Sequence, residues 1–268
     1  MDRLGVIRRI DRNVPARDNA ATSSREPLVT TTEQKTPKPA PWPIEFYRSA
    51  VGKKWVMALT GIALIGYVVA HLIGNLKIYL GADEINQYGE ALRDLGGHLA
   101  PRTSILWILR GGLIVAFFLH VHAAYSLTYT NWKARGGAYR ERDYAVASYA
   151  SRTMRWTGTI VLLFLAFHLA DLTWGVGPAA TGEFVRGEVY DNVIRSLERV
   201  PVAILYGVAN VALGFHLFHG IWSLFQSIGW NHPRFNRWRK YLAYATTALI
   251  VTGNLSFPVA VQAGWLST

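Results

Sequence analysis

The 268-residue chain is 51% apolar, carries a formal charge of +11 and contains no cysteine. Without cysteine it holds no iron–sulfur cluster, thiolate zinc, covalently attached c-type haem or disulfide, so any metal must be held by His or carboxylate. The apolar residues are gathered into long blocks and the basic ones into a tail and short loops, a pattern of a polytopic membrane protein rather than of a nucleic-acid-binding domain.

Residues 1–45 lack the apolar centre of a signal peptide and are rich in Arg, Thr, Ser and Pro, so they are expected to be a disordered basic cytoplasmic tail. The remainder, 46–268, is expected to be one all-α domain, because a membrane crossing takes about 20 mostly apolar residues at about 1.5 Å each. Five stretches qualify, near 55–80, 104–129, 156–176, 201–228 and 241–263. Between the first two, Glu84 to Leu99 carries Ile85, Tyr88, Leu92 and Leu95 at helical spacing and reads as an amphipathic segment lying on the surface. Pro258 is expected only to kink the fifth helix, and no internal repeat stands out.

Orientation follows from the cations outside the spans. Eleven precede Trp55, and the second-to-third and fourth-to-fifth connections bring the total on that side to 21. The other connections hold few cations and carry Asp83, Glu84, Glu90, Asp94, Glu183, Glu188, Asp191 and Glu198. The N-terminus is therefore expected in the cytoplasm and the C-terminus outside.

Histidines in the apolar blocks carry the chemistry, since an imidazole in hydrocarbon is costly without a partner. Each of the first four spans has at least one: His71, then His120 and His122, then His168, then His216 and His219. Four helices each supplying one imidazole fit two haems with two axial histidines apiece. His120 and His122 point to nearly opposite faces at about 100° per residue, so only one readily meets a given cofactor. His219, one turn beyond His216, reads as a ligand, as a neighbour hydrogen-bonding to one, or as a propionate partner. Depth places His71 roughly 25 Å from the inner side and His122 about 15 Å, so these two do not share an iron, while His168 and His216 fall between. Asp171 reads either as a proton-accessible group or as a solvated cap at the helix end.

The segments Ala70–Asn75, His122–Tyr125, Ser151–Gly158, Phe167–Leu169 and Phe215–Ser223 together resemble the cytochrome b membrane subunit of bacterial succinate dehydrogenases and fumarate reductases, in its five-helix, two-haem form. The resemblance covers roughly residues 44–268. It implies five transmembrane helices bundled around two stacked b haems, His71 pairing with His168 at the outer one and His122 with His216 at the inner one. His122 is selected over His120 because Tyr125 follows it by three residues. It further implies a flavoprotein and an iron–sulfur subunit as partners, succinate oxidation in the tricarboxylic acid cycle on a flavin outside this chain, no catalytic residue within it, menaquinone as electron acceptor, and a higher oligomer of the complex among its assemblies. Some members carry a glutamate for proton return two residues before the last ligand; Gly214 stands there.

Under this resemblance Arg152 and Arg155, where the third helix begins, suit haem propionates, with His219 and His120 as further candidates beside the haems. A quinone near the outer haem would meet Glu90, Asp94, His98, Arg102 and Asp171, whereas an inner site would lie near Ser49, Arg155 and Trp222. Two other expectations fit the same residues: a di-haem anchor of a different quinone-linked oxidoreductase, and a haem-free transporter relaying protons through histidines.

Overall fold

The computed structural model describes residues 40–134, 149–230 and 232–268, and the side chains of all of these except 149–152. Most of the expected tail, the 135–148 connection and the Arg152 side chain thus lie outside the described residues. Helix α1, Trp42–Arg48, already begins inside the expected tail, with Pro43 in the first turn where its missing N–H costs nothing. The chain turns at Ser49, whose hydroxyl accepts from the Gly52 N–H at 2.9 Å and caps α2, Ala50–Asn75. Gly52 passes so close to the Phe46 carbonyl that any Cβ would collide with it.

A 3-10 turn carries α2 on to Leu80, and Gly81, at φ 106°, breaks it before the surface helix α3, Ala82–Ala91. The next span is α4, Ser104–Ala134, followed by α5, Tyr149–Leu169, which widens into a π-turn over Ala170–Trp174. A second surface helix, α6, Val189–Glu198, leads into α7, Val200–Ser227, and the chain returns through α8, Asn236–Gln262. Among the described residues all regular structure is helical, and five helices are long and apolar enough to cross a membrane: Ala50–Leu80, Ser104–Ala134, Thr153–Trp174, Val200–Ser227 and Pro233–Gln262. The fifth starts eight residues earlier than the sequence suggests. Its basic first turns are held by Arg239, which is buried, lies 5.1 Å over the Trp222 ring and donates to the Trp230 carbonyl at 2.9 Å.

Helix α2 packs against α4, α5 against α7, and α7 against α8 and α2. The neighbouring pairs α2 with α5 and α4 with α7 are not in close backbone contact. Where α2 and α5 end, α3 and α6 lie on each other; the Tyr190 N–H of α6 donates to Asn86 of α3 at 3.1 Å. A buried cluster of Leu72, Ile78, Ile85, Ile194, Leu197, Tyr206, Leu217, Ile250, Phe257 and Val261 ties both surface helices to α2, α7 and α8. The outer faces are apolar and exposed, as at Ile108 (71%) and Leu163 (67%), and such a surface needs lipid rather than water around it. This is a multi-pass membrane protein.

Candidate functional site of paired histidines

Two histidine pairs lie in the spaces between helices that do not pack closely. His71 of α2 faces His168 of α5 with ring centres 5.9 Å apart, and His120 of α4 faces His216 of α7 at 6.4 Å. His122 does not reach His216: its ring stacks on Tyr47 of α1 at 5.7 Å, with the Tyr47 hydroxyl 2.5 Å from its Nδ1. In the structure it is thus His120, and not the expected His122, whose ring faces His216. Two residues along a helix turn the side chain by about 200°, so a face towards α7 for one is a face towards α1 for the other.

The Nδ1 atoms are turned back into the protein. His120 Nδ1 lies 3.1 Å from the Met57 carbonyl and 3.2 Å from Thr60 Oγ1. His216 Nδ1 is buried and has no hydrogen-bond partner among the described residues. His71 Nδ1 is 3.0 Å from the Asn75 amide, and His168 Nδ1 is 3.1 Å from the Tyr206 hydroxyl. Each ring then has Nε2 as the atom open to a ligand. Among the described residues no three His, Asp or Glu side chains converge on a metal-sized point. The imidazoles come in twos.

The two pairs sit at different levels. Gly61 of α2 sits opposite His120, where a Cβ would be 3.4 Å from its Cε1, and His71 follows ten residues later. Gly158 of α5 sits opposite His216, where a Cβ would be 3.1 Å from its Cε1, and His168 follows ten residues later. On α7, Tyr206 meets His168 ten residues before His216. Three helices thus agree on a separation of about 15 Å along the bundle.

This agreement exposes an internal repeat that the sequence reading overlooked. Met57, Thr60, Gly61, Tyr67, His71 and Leu72 of α2 recur in α5 as Met154, Thr157, Gly158, Phe164, His168 and Leu169, at the same spacings. Ile108, Leu109, Gly111, Val115, Ala116 and His120 of α4 recur in α7 as Ile204, Leu205, Gly207, Val211, Ala212 and His216. The unit is span, surface helix, span, repeated once. In this alignment the position of His122 is taken by Phe218. The aromatic residue one turn before each first-span histidine packs on it in both halves, Tyr67 on His71 at 5.4 Å and Phe164 on His168 at 5.8 Å.

The other expected site residues scatter. Glu90, Asp94 and Arg102 do come together, Arg102 donating to Asp94 at 2.9 Å and to Glu90 at 2.6 Å while Arg93 also pairs with Glu90; the cluster is exposed. The Asp94 hydrogen bond and charge raise the Arg102 guanidinium above its ordinary pKa. His98 is exposed and makes no hydrogen bond or ion pair among the described residues. Asp171 is no solvated cap: it is 1% exposed, with Oδ1 taken by Arg199 and Oδ2 by Ser196 and Tyr206. Arg155 is exposed, and His219 is buried against the Phe218 ring. The residues missed at the level of sequence are Tyr47, Thr60, Asn75, Arg110, Ser196, Arg199 and Tyr206. Arg110 had a readable signal, a charge inside an apolar span. It lies 5.2 Å over the Trp107 ring and has no carboxylate partner among the described residues.

Residues 127–254 match the family described as succinate dehydrogenase/fumarate reductase transmembrane subunit. Over these residues, a little under half of the chain, it is similar to that family. No curated protein and no solved structure matches it. The match takes in His168 and His216, while His71 and His120 lie outside it and enter through the internal repeat.

Proposed function

We propose that this protein is the two-haem cytochrome b anchor of a succinate:quinone oxidoreductase, set in the bacterial inner membrane with its N-terminus in the cytoplasm. The observation that carries the reading is the spacing of the two histidine pairs. A metal–imidazole bond of about 2 Å on each side, added to roughly 1.2 Å from ring nitrogen to ring centre, puts two axial imidazoles about 6.4 Å apart. The His120–His216 separation of 6.4 Å meets this, and the 5.9 Å of His71–His168 comes within about half an ångström of it. The pairs α2 with α5 and α4 with α7 are not in close backbone contact, and Gly61 and Gly158 keep the wall beside His120 and His216 low.

In this reading His71 and His168 hold the haem farther from the N-terminal side, and His120 and His216 hold the nearer one. Haem bound there supplies one-electron carriage between an iron–sulfur partner and a quinone, menaquinone being the acceptor we expect. Arg110 is the cation available to an acidic group at the far site, and Arg155 at the near end of α5. The flavoprotein and iron–sulfur partners would dock on the basic side, where Lys53, Lys54, Arg234, Arg237 and Lys240 lie.

The test is a reduced-minus-oxidised spectrum with haem quantitation on the purified complex. Two b-type haems per chain are expected. A complex that assembles with its soluble partners but holds none, or one, overturns the reading.

A further inference from the structure

A buried polar chain runs from His168 to the end of the bundle covered by α6. His168 Nδ1 lies 3.1 Å from the Tyr206 oxygen, and the Tyr206 hydroxyl donates to Asp171 Oδ2 at 2.9 Å. Ser196 donates to the same oxygen at 2.5 Å, and Arg199 donates to Asp171 Oδ1 at 3.0 Å and to Ser196 Oγ at 3.1 Å. Asp171 and Ser196 are 1% and 0% exposed, while the Arg199 side chain retains 30% of its surface. Arg199 supplies the counter-charge that a buried carboxylate requires.

The order of donors fixes a tautomer. Tyr206 gives its only proton to Asp171, so its oxygen is left to accept, and His168 Nδ1 must carry the hydrogen. Nε2 is then a lone pair. The other half of the repeat has no such chain: Gly74 stands at the position of Asp171 and Arg110 at that of Tyr206. Among the described residues His71 has only the Asn75 amide as a hydrogen-bond partner, and His120 only Thr60 and a backbone carbonyl. Of the four facing histidines, His168 alone is tied to a carboxylate among the described residues.

We infer that Tyr206 and Asp171 are positioning residues for His168, holding its Nε2 as the ligating atom and enriching the ring in electrons, so that the haem it shares with His71 has a lowered reduction potential. A hydrogen bond from a ligand imidazole into a carboxylate-backed acceptor raises ligand basicity and favours the oxidised metal. This inference rests on the two-haem reading above.

The experiment is a redox titration of both haems, with electron paramagnetic resonance of the oxidised state, on the assembled complex carrying Tyr206→Phe. Phenylalanine keeps the ring, which packs edge-on against Phe164 at 4.9 Å, and removes only the hydroxyl. One haem should shift to more positive potential by about tenfold in its redox equilibrium, about 59 mV for one electron, with its resonance changed and the other haem unmoved. Asp171→Asn should move the same haem in the same direction. Loss of that one haem with the other retained also supports the inference. Unchanged potentials and resonances in both variants overturn it, as does loss of both haems together with the assembled complex, which would mark the network as structural. An equal shift in Phe164→Leu, which disturbs packing without touching the hydroxyl, assigns the effect to packing and overturns it too. A wild-type complex without haem fails the two-haem reading instead, and is told apart before any variant is made.

Discussion

The ring of His120 lies 6.4 Å from that of His216 at an interplanar angle of 71°, on two helices whose backbones do not closely touch. His122, two residues away, is exposed and bound to Tyr47. The relationship divides the two histidines of α4 between different neighbours.

Under the proposed two-haem function, His120→Ala should remove one haem and leave the other at its wild-type potential. His122→Ala should retain both. Haem quantitation and difference spectra of the two variants decide this, and the reverse result would restore His122 as the ligand.

Gly158→Val should disturb the same site from the opposite wall. Its Cβ alone would sit 3.1 Å from His216 Cε1, so a branched side chain must push the imidazole or α5 aside. We expect loss or spectral perturbation of the nearer haem, with the His71–His168 site unaffected.

Gly214→Glu, which would restore the residue some relatives use for proton return, should instead destabilise the protein. The position faces α8 so closely that a Cβ would be 2.6 Å from Val251 Cγ2. Overpacking of this kind costs about 1–3 kcal/mol, and a buried unpaired carboxylate adds to it. A lowered midpoint of thermal unfolding in detergent, with no gain in proton-coupled activity, is the expected result.

Arg199→Gln should weaken the protein more than charge removal at the surface cluster does. It leaves Asp171 buried beside neutral partners, a loss on the order of 3 kcal/mol for a fully buried pair and less here because Arg199 is part-exposed. Asp94→Asn, in an exposed pair, should change thermal stability little, and any change should fade at high salt. Thermal melts at low and high ionic strength separate the two cases.

Much of the protein was legible in its sequence, because the physics involved is local. Burying about 20 consecutive backbone units in hydrocarbon demands an apolar run, so five such runs mark five spans. A histidine within such a run stands out against its neighbours, so His71, His168 and His216 were identifiable as residues needing a partner. The amphipathic spacing of α3 was equally readable. That of α6, with Val189, Val193, Ile194 and Leu197, was there to be read and was overlooked.

What the tertiary structure alone decided is how each helix is rotated against its neighbours. Periodicity shows that His120 and His122 point opposite ways, but which of them meets α7 depends on how α4 packs on α2, a relation between residues some sixty positions apart, such as Met57 and His120. Asp171 follows the same logic: its place near a helix end suggests a solvated cap, and only the folding of α6 and α7 over it, bringing Ser196, Arg199 and Tyr206 from 25 to 35 residues away, makes it a buried anchor. The repeat became visible for the same reason, since its shared residues are few and are set apart from the aliphatic background only by facing the two histidine pairs.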